Sequence, residues 1–288
     1  MFSGSLLLLS LFLCYSRNMK ILEFVEFMGS ISEPPLFAYS IVVYSEGSQI
    51  FTARTRARLN RKNDLESSEL EQVALIPKYA FQPAFSERFT RAISTDQSFV
   101  KRPCLSSYST IGVSPDTSVA EELLQEVEVC EMLRRHPHPN IAVYNGCEIE
   151  EGRITGLCFQ KYTESLQRRL NPGHLGKRAL AASSQHLDHE WCSRVIKGVK
   201  DAIYHLHTLG LVHNDLNPAN IMLDTNESPI LIDFGSTRAI GQSLEDVGRT
   251  PGWYNFDVKT AETSNDLGAL TEIDAWMRGR TSDLKFDE

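Results

Sequence analysis

The chain has 288 residues, of which 42% are hydrophobic and 23% charged, with a formal net charge of −8. Those proportions suit a soluble globular protein with one large core or two modest ones. The acidic balance argues against a dedicated nucleic-acid binder, which is usually basic. Six cysteines are scattered without a Cys-x-x-Cys pair. Four stand among apolar neighbours, so they read as reduced core residues of an intracellular protein.

Residues 6–15 are an apolar run of signal-peptide length, too short to span a bilayer. No basic residue precedes it and no small-x-small cleavage site follows, so 1–34 reads as a leader or disordered N-terminus, with Met19 as a possible start. A cytoplasmic or nuclear location is expected, with secretion as the alternative, and no stable membrane span. Ile41-Val42-Val43-Tyr44, the turn Ser45-Glu46-Gly47-Ser48 and Gln49-Ile50-Phe51-Thr52 predict a β-hairpin. Arg54, Arg56 and Arg58 alternate onto one face beyond it, followed by Arg61 and Lys62. Such a stripe can meet phosphate but is more often a solvated strand face. Residues 64–71 read as an acidic loop, and 75–94 as irregular, with prolines breaking any period.

Residues 97–101 predict a short strand ending in Lys101. Ser118 to Glu121 is a capping box for a helix whose Leu123, Leu124, Val127, Cys130 and Leu133 keep helical spacing. That helix ends at His136-Pro137, since proline cannot continue the ladder. Strands are expected at 141–144 and 154–159 around a Glu151-Gly152 turn, and a short helix at 166–170. The stretch 171–188 is polar and rich in glycine and serine. A long amphipathic helix then carries Trp191, Val195, Ile196, Val199, Ile203 and Leu206 on one stripe, with Lys197, Lys200 and Asp201 opposite.

The chain continues as His213-Asn214-Asp215-Leu216-Asn217-Pro218-Ala219-Asn220, then Asp233-Phe234-Gly235 after a further apolar run. Asp215, Asn220 and Asp233 have the spacing of a phosphoryl-transfer site. One carboxylate receives a proton, while an amide and a second carboxylate hold magnesium. An ordinary turn between strands is the bland alternative, because Asp and Asn are common in turns. His213 and Phe234 read as packing residues that position the loop. The pairs His136/His138 and His205/His207 lack a third ligand at metal-site spacing.

From Phe99 to Met277 the order of these motifs resembles the protein-kinase superfamily. Val100-Lys101-Arg102-Pro103, His136 to Ile141 and His213 to Pro218 are similar to small fungal kinase-like proteins. The resemblance implies an α+β, two-lobed protein-kinase-like fold. It would have a reduced β-rich N-lobe over 35–161 and a truncated helical C-lobe over 162–288, in which Ser264-Asn265-Asp266-Leu267-Gly268 opens a further helix. It implies that Lys101 contacts the ATP phosphates and that Glu126 holds Lys101, with Glu121, Glu122 and Glu128 as competitors. It implies Asp215 as base, and Asn220 and Asp233 as ligands of Mg2+.

Departures carry information as well. No Gly-x-Gly-x-x-Gly precedes Lys101 and no Ala-Pro-Glu follows Asp-Phe-Gly; residues 248–254 stand where a peptide acceptor would bind. Asn214 replaces an arginine, which implies no activation by loop phosphorylation. Asn217 occupies the position of a catalytic lysine, which implies slow turnover. The expected function is an ATP- and Mg2+-dependent protein kinase, of serine/threonine type, acting on a protein or hydroxyl-bearing substrate. A pseudokinase scaffold that binds nucleotide weakly and a small-molecule kinase of choline or aminoglycoside type remain the alternatives.

Overall fold

The computed structural model describes residues 19–29, 36–59, 65–93, 95–108, 119–183 and 187–286. The apolar run 6–15, Arg61, Lys62 and the Ser118 cap lie outside them. The chain divides into two compact units, one of residues 1–80 with 104–116 and one of 81–103 with 117–288.

The first unit is an antiparallel sheet in chain order: β1 (Met19–Gly29), β2 (Leu36–Glu46), β3 (Gln49–Thr55) and β4 (Leu70–Ile76). The expected hairpin is present and longer than its apolar run suggested. Glu46 pairs with Gln49 across a two-residue turn in which Gly47 takes φ +60°. That left-handed backbone is what a tight hairpin asks of its first residue. Two strands correct the sequence reading. β1 falls in the segment read as a leader, and β4 overlaps stretches read as loop and irregular. β1 carries Glu23 and Glu26 and β4 carries Glu71, residues that strands disfavour, so their conformation is set by pairing rather than local propensity. The arginine stripe is used within the unit. Arg54 lies over the Tyr39 ring at 4.0 Å, Arg56 pairs with Glu71 at 3.3 Å, and Arg58 with Glu26 at 3.4 Å.

The second unit begins with β5 (Ser98–Lys101), α1 (Val119–Arg135), β6 (Tyr144–Glu150) and β7 (Arg153–Gln160). The three strands form a sheet ordered β5-β7-β6, with β7 in the centre and buried from Ile154 to Phe159. Glutamates in the first turn of α1 and arginines in its last complement the helix dipole. The strand expected at 141–144 begins at Tyr144 instead. Ile141 makes only an isolated bridge to Leu231, because Asn140 ties this stretch across to residues 229–231. The Glu151-Gly152 turn has both residues at positive φ.

Next come β8 (Glu164–Ser165), α2 (Leu166–Leu170), α3 (Lys177–Ala182), α4 (His189–Thr208), β9 (Leu211–Val212), β10 (Ile221–Leu223), β11 (Pro229–Leu231), β12 (Arg238–Ala239) and α5 (Thr263–Met277). The strands form two small sheets, β11-β10-β8 and β12-β9. The long helix α4 is capped by Asp188, whose side chain accepts from the Glu190 amide. It buries Cys192, Val195, Val199, Ala202, Ile203 and Leu206. Helix α3 was hidden in the polar stretch 171–188. Its Lys177 is buried and paired with Glu272 of α5, and donates to the Gly252 carbonyl at 2.5 Å. Four of the five described cysteines (Cys130, Cys147, Cys158 and Cys192) are buried and unpaired, while Cys104 is exposed. Among the described residues no helix is long and apolar enough to cross a membrane.

Candidate active site

The candidate site lies wholly within the second unit. Its loop runs from β9 to β10 and is held from beneath by Asp266, a fully buried carboxylate in the first turn of α5. Asp266 accepts the backbone N–H groups of His213 and Asn214, each at 2.9 Å, and lies 2.9 Å from His207 Nε2. Asn214 sits at φ 64°, a left-handed conformation that asparagine tolerates better than most residues. Its Nδ2 donates to the Val212 carbonyl, and its Oδ1 accepts from Asn265. His213 is fully buried edge-on to Phe234. Its Nδ1 accepts the Asp215 N–H, so Nε2 is the donor toward the Ile232 carbonyl. The sequence placed Asp266 at the opening of this helix but not its role as the loop's anchor; the available signal was a carboxylate in the helix's first turn.

These anchors present Asp215 half-buried. Its Oδ1 accepts the Thr250 amide at 2.7 Å and its Oδ2 accepts Asn220 Nδ2 at 2.9 Å. Asn220 therefore turns its amide nitrogen to Asp215 and leaves Oδ1 as an oxygen ligand. Asn217 is buried and bonded at both ends. Its Oδ1 caps the short 3-10 turn Pro218–Asn220, while Nδ2 donates to the Asp215 carbonyl and Thr250 Oγ1.

Lys101, Glu126 and Asp233 converge as a second group. The Lys101 ammonium donates to both Glu126 oxygens at 2.7 and 2.8 Å and to Asp233 Oδ1 at 2.7 Å. Of the four candidate glutamates on α1, Glu126 is the one that meets Lys101; Glu128 pairs with Arg88 instead. Burial by itself would lower the Lys101 ammonium, but Glu126 and then Asp233 outweigh it and push the group above its ordinary value. Burial raises Glu126, and Lys101 offsets only part of that. For Asp233 burial is outweighed by Lys101, which holds the carboxyl below the usual aspartate range. Asp233 has φ 64°, and the Phe234 amide that follows donates to Glu126 Oε1 at 3.2 Å. The two groups meet through the backbone, since the Ile232 amide donates to the Asn220 carbonyl at 3.0 Å.

Beside Lys101 and Asp233 opens a cleft of about 330 Å³, walled by Phe99, Phe159, Tyr162, Met222 and Ile232. Its size and apolar walls suit a planar aromatic ligand. Phe99 is half exposed there and pairs across the strands with Phe159; sequence reasoning did not single it out. Among the described residues no group of three or more His, Cys, Asp or Glu side chains could hold a metal ion. Asn220 and Asp233 would offer two oxygen ligands. That fits Mg2+, which keeps several waters and takes phosphate oxygens rather than a full protein cage.

A family model described as protein kinase domain matches residues 110–279. The chain is 28% identical over 145 residues to the serine/threonine-protein kinase SSK22 of Saccharomyces cerevisiae, covering 50% of this chain and 10% of that protein. It is 27% identical over 164 residues to the serine/threonine-protein kinase Tao of Drosophila melanogaster, 56% of this chain and 14% of that one. Against human mitogen-activated protein kinase kinase kinase 3 it is 27% identical over 177 residues, 58% of this chain and 25% of that protein. The matches thus span only a tenth to a quarter of the length of these curated relatives.

Proposed function

The chain belongs to the protein kinase domain family, its mixed α/β architecture is consistent with that fold, and on this footing we propose an ATP- and Mg2+-dependent kinase acting on protein serine or threonine. The sheet β5-β7-β6 with α1 would serve as the small lobe, and the elements from α2 onward as the helical lobe. The observation that carries the reading is the Lys101 ammonium bridging Glu126 and Asp233. A lysine so held presents fixed positive charge beside an apolar cleft, where the phosphates of a nucleotide whose base enters that cleft would lie. Asn220 and Asp233 would hold Mg2+, which would screen the phosphate charge.

Asp215 orients the acceptor hydroxyl and takes its proton as the bond to phosphorus forms. Asn217 acts as a positioning residue: with both amide atoms committed, it fixes the main chain from Asp215 to Asn220 and holds Thr250 instead of meeting the transferred phosphate. Similarity to the serine/threonine-protein kinases SSK22 and Tao supports the acceptor class. Transfer from radiolabelled ATP to a serine/threonine peptide library tests the reading. Asp215→Asn should lower turnover by about 10²-fold or more, and full transfer by that variant would remove Asp215 from the role of base. A scaffold that binds nucleotide without transferring phosphate is the second reading. It is favoured by the lack of a Gly-x-Gly-x-x-Gly ahead of Lys101, and nucleotide binding by a wild-type chain that transfers nothing would select it.

A further inference from the structure

Residues 248–258 follow the Asp-Phe-Gly turn and include the Thr250 amide that bonds Asp215. The residue just before it, Arg249, is half-buried. Its guanidinium carbon stands 3.9 Å from the centroid of the Tyr254 ring, and Nη2 donates to the Val258 carbonyl at 3.0 Å. Several other arginines of this unit are matched to acids, Arg102 to Glu148, Arg169 to Glu164 and Glu227, Arg278 to Asp274, whereas Arg153, like Arg249, donates to a carbonyl. Arg249 forms no ion pair with any described residue. Burial lowers its guanidinium from the ordinary value, and Tyr254 and Asp215 oppose that; the geometric link to Asp215 is the neighbouring Thr250 amide.

A guanidinium already oriented by an aromatic face and a carbonyl, and lacking a carboxylate, is prepared for an anion from outside. Two anions could come near Asp215: the phosphoryl group in transit and an acidic side chain of the acceptor. The chain segment that holds Arg249 favours the second. Asn220 engages the Oδ2 side of Asp215, while the Thr250 segment engages Oδ1. Arg249 is held by Tyr254 and Val258 of that same segment, whereas the Lys101 and Asp233 pair draws its contacts from β5 and α1. Exposed Asp257 on the segment, and Glu245 and Asp246 just before it, oppose an acidic acceptor, but at the surface solvent and salt screen them.

We infer that Arg249 selects acceptors carrying an acidic side chain next to the phosphorylated serine or threonine, pairing with that carboxylate beside Asp215. The inference rests on the protein-kinase reading for its acceptor class. Its test is a binding comparison that needs no turnover. The full chain with Mg2+ and a non-hydrolysable ATP analogue is titrated with labelled peptides whose acceptor hydroxyl residue is replaced by alanine. The neighbouring positions are glutamate, glutamine or lysine. Wild type should bind the glutamate peptide about tenfold more tightly than the lysine peptide, with the gap narrowing as salt is added. Arg249→Gln should level the two and Arg249→Glu invert their order, while Arg249→Lys keeps part of the preference. Equal binding of both peptides by wild type, or a glutamate preference that ignores salt or survives in folded Arg249→Gln, overturns the inference. Failure to phosphorylate the serine forms of the same peptides would instead count against the kinase reading, and the binding comparison would still decide Arg249.

Discussion

At the scale of single residues, the site depends on polar groups that never face the cleft. Asp266 accepts two buried backbone N–H groups of the loop that carries Asp215. Removing the acceptor leaves both donors unpaired, at roughly 1–3 kcal/mol each. Asp266→Ala should therefore destabilise the chain by about 3 kcal/mol or more in urea denaturation, and a loss below 1 kcal/mol would contradict this anchoring role. Asn214 shows how a substitution read for one purpose can serve another. In the sequence it marks a missing arginine; in the structure it is the residue that tolerates a left-handed turn and ties it to Val212 and Asn265. Asn217 likewise reads as a lost lysine and proves to be a cap. The positions of Asp215, Asn220 and Asp233 were legible because their spacing is itself the signal. The caps were not, because an asparagine in a loop has no spacing that reveals its partners.

Among the elements, α4 shows sequence pattern and packing agreeing except at one point. Its apolar stripe was readable from 3.6-residue periodicity, but Gly198 within it was not accounted for. A Cβ there would stand 2.6 Å from Pro229 Cγ and 3.0 Å from Asn140 Nδ2. In an open helix Gly→Ala gains about 1 kcal/mol. Here a rigid proline ring cannot retreat, and overpacking of this kind costs about 1–3 kcal/mol. Gly198→Ala should lower the melting temperature; a rise would show that β11 can give way. Helix α3 lies at the other extreme. Its six residues are too few for a periodic signal, and its buried Lys177 reads as surface until Glu272 and the Gly252 carbonyl are seen around it. The same holds for β1 and β4, where Glu23, Glu26 and Glu71 interrupt the apolar pattern and pairing defines the strands.

For the whole molecule, the two compact units enclose separate apolar cores. One is built on Val42, Tyr44, Ala53, Leu59 and Leu65. The other runs from the β5-β7-β6 sheet and α1 through α4 and α5. Every residue of the candidate site belongs to the second unit, so Mg2+-ATP should stabilise that unit alone. Nucleotide at about 100 times its dissociation constant adds roughly 2.7 kcal/mol. Hydrogen exchange with and without Mg2+-ATP should therefore show protection gained by core amides of α1 and β7 and none by those of β2 and β3. Equal gains in both units would mean that nucleotide binding reaches the first sheet.

The order of motifs, the long helices and the candidacy of Asp215, Asn220 and Asp233 were legible in the sequence itself, since periodicity and spacing are local and survive without a fold. Only the tertiary structure decided which glutamate meets Lys101, which carboxylate holds the loop, and that Arg249, next to the Thr250 amide bonded to Asp215, packs on Tyr254 with no ion pair to any described residue. The Lys101, Asp266 and Thr250 contacts join residues distant along the chain, and the burial that gives such contacts their strength exists only once the core has closed.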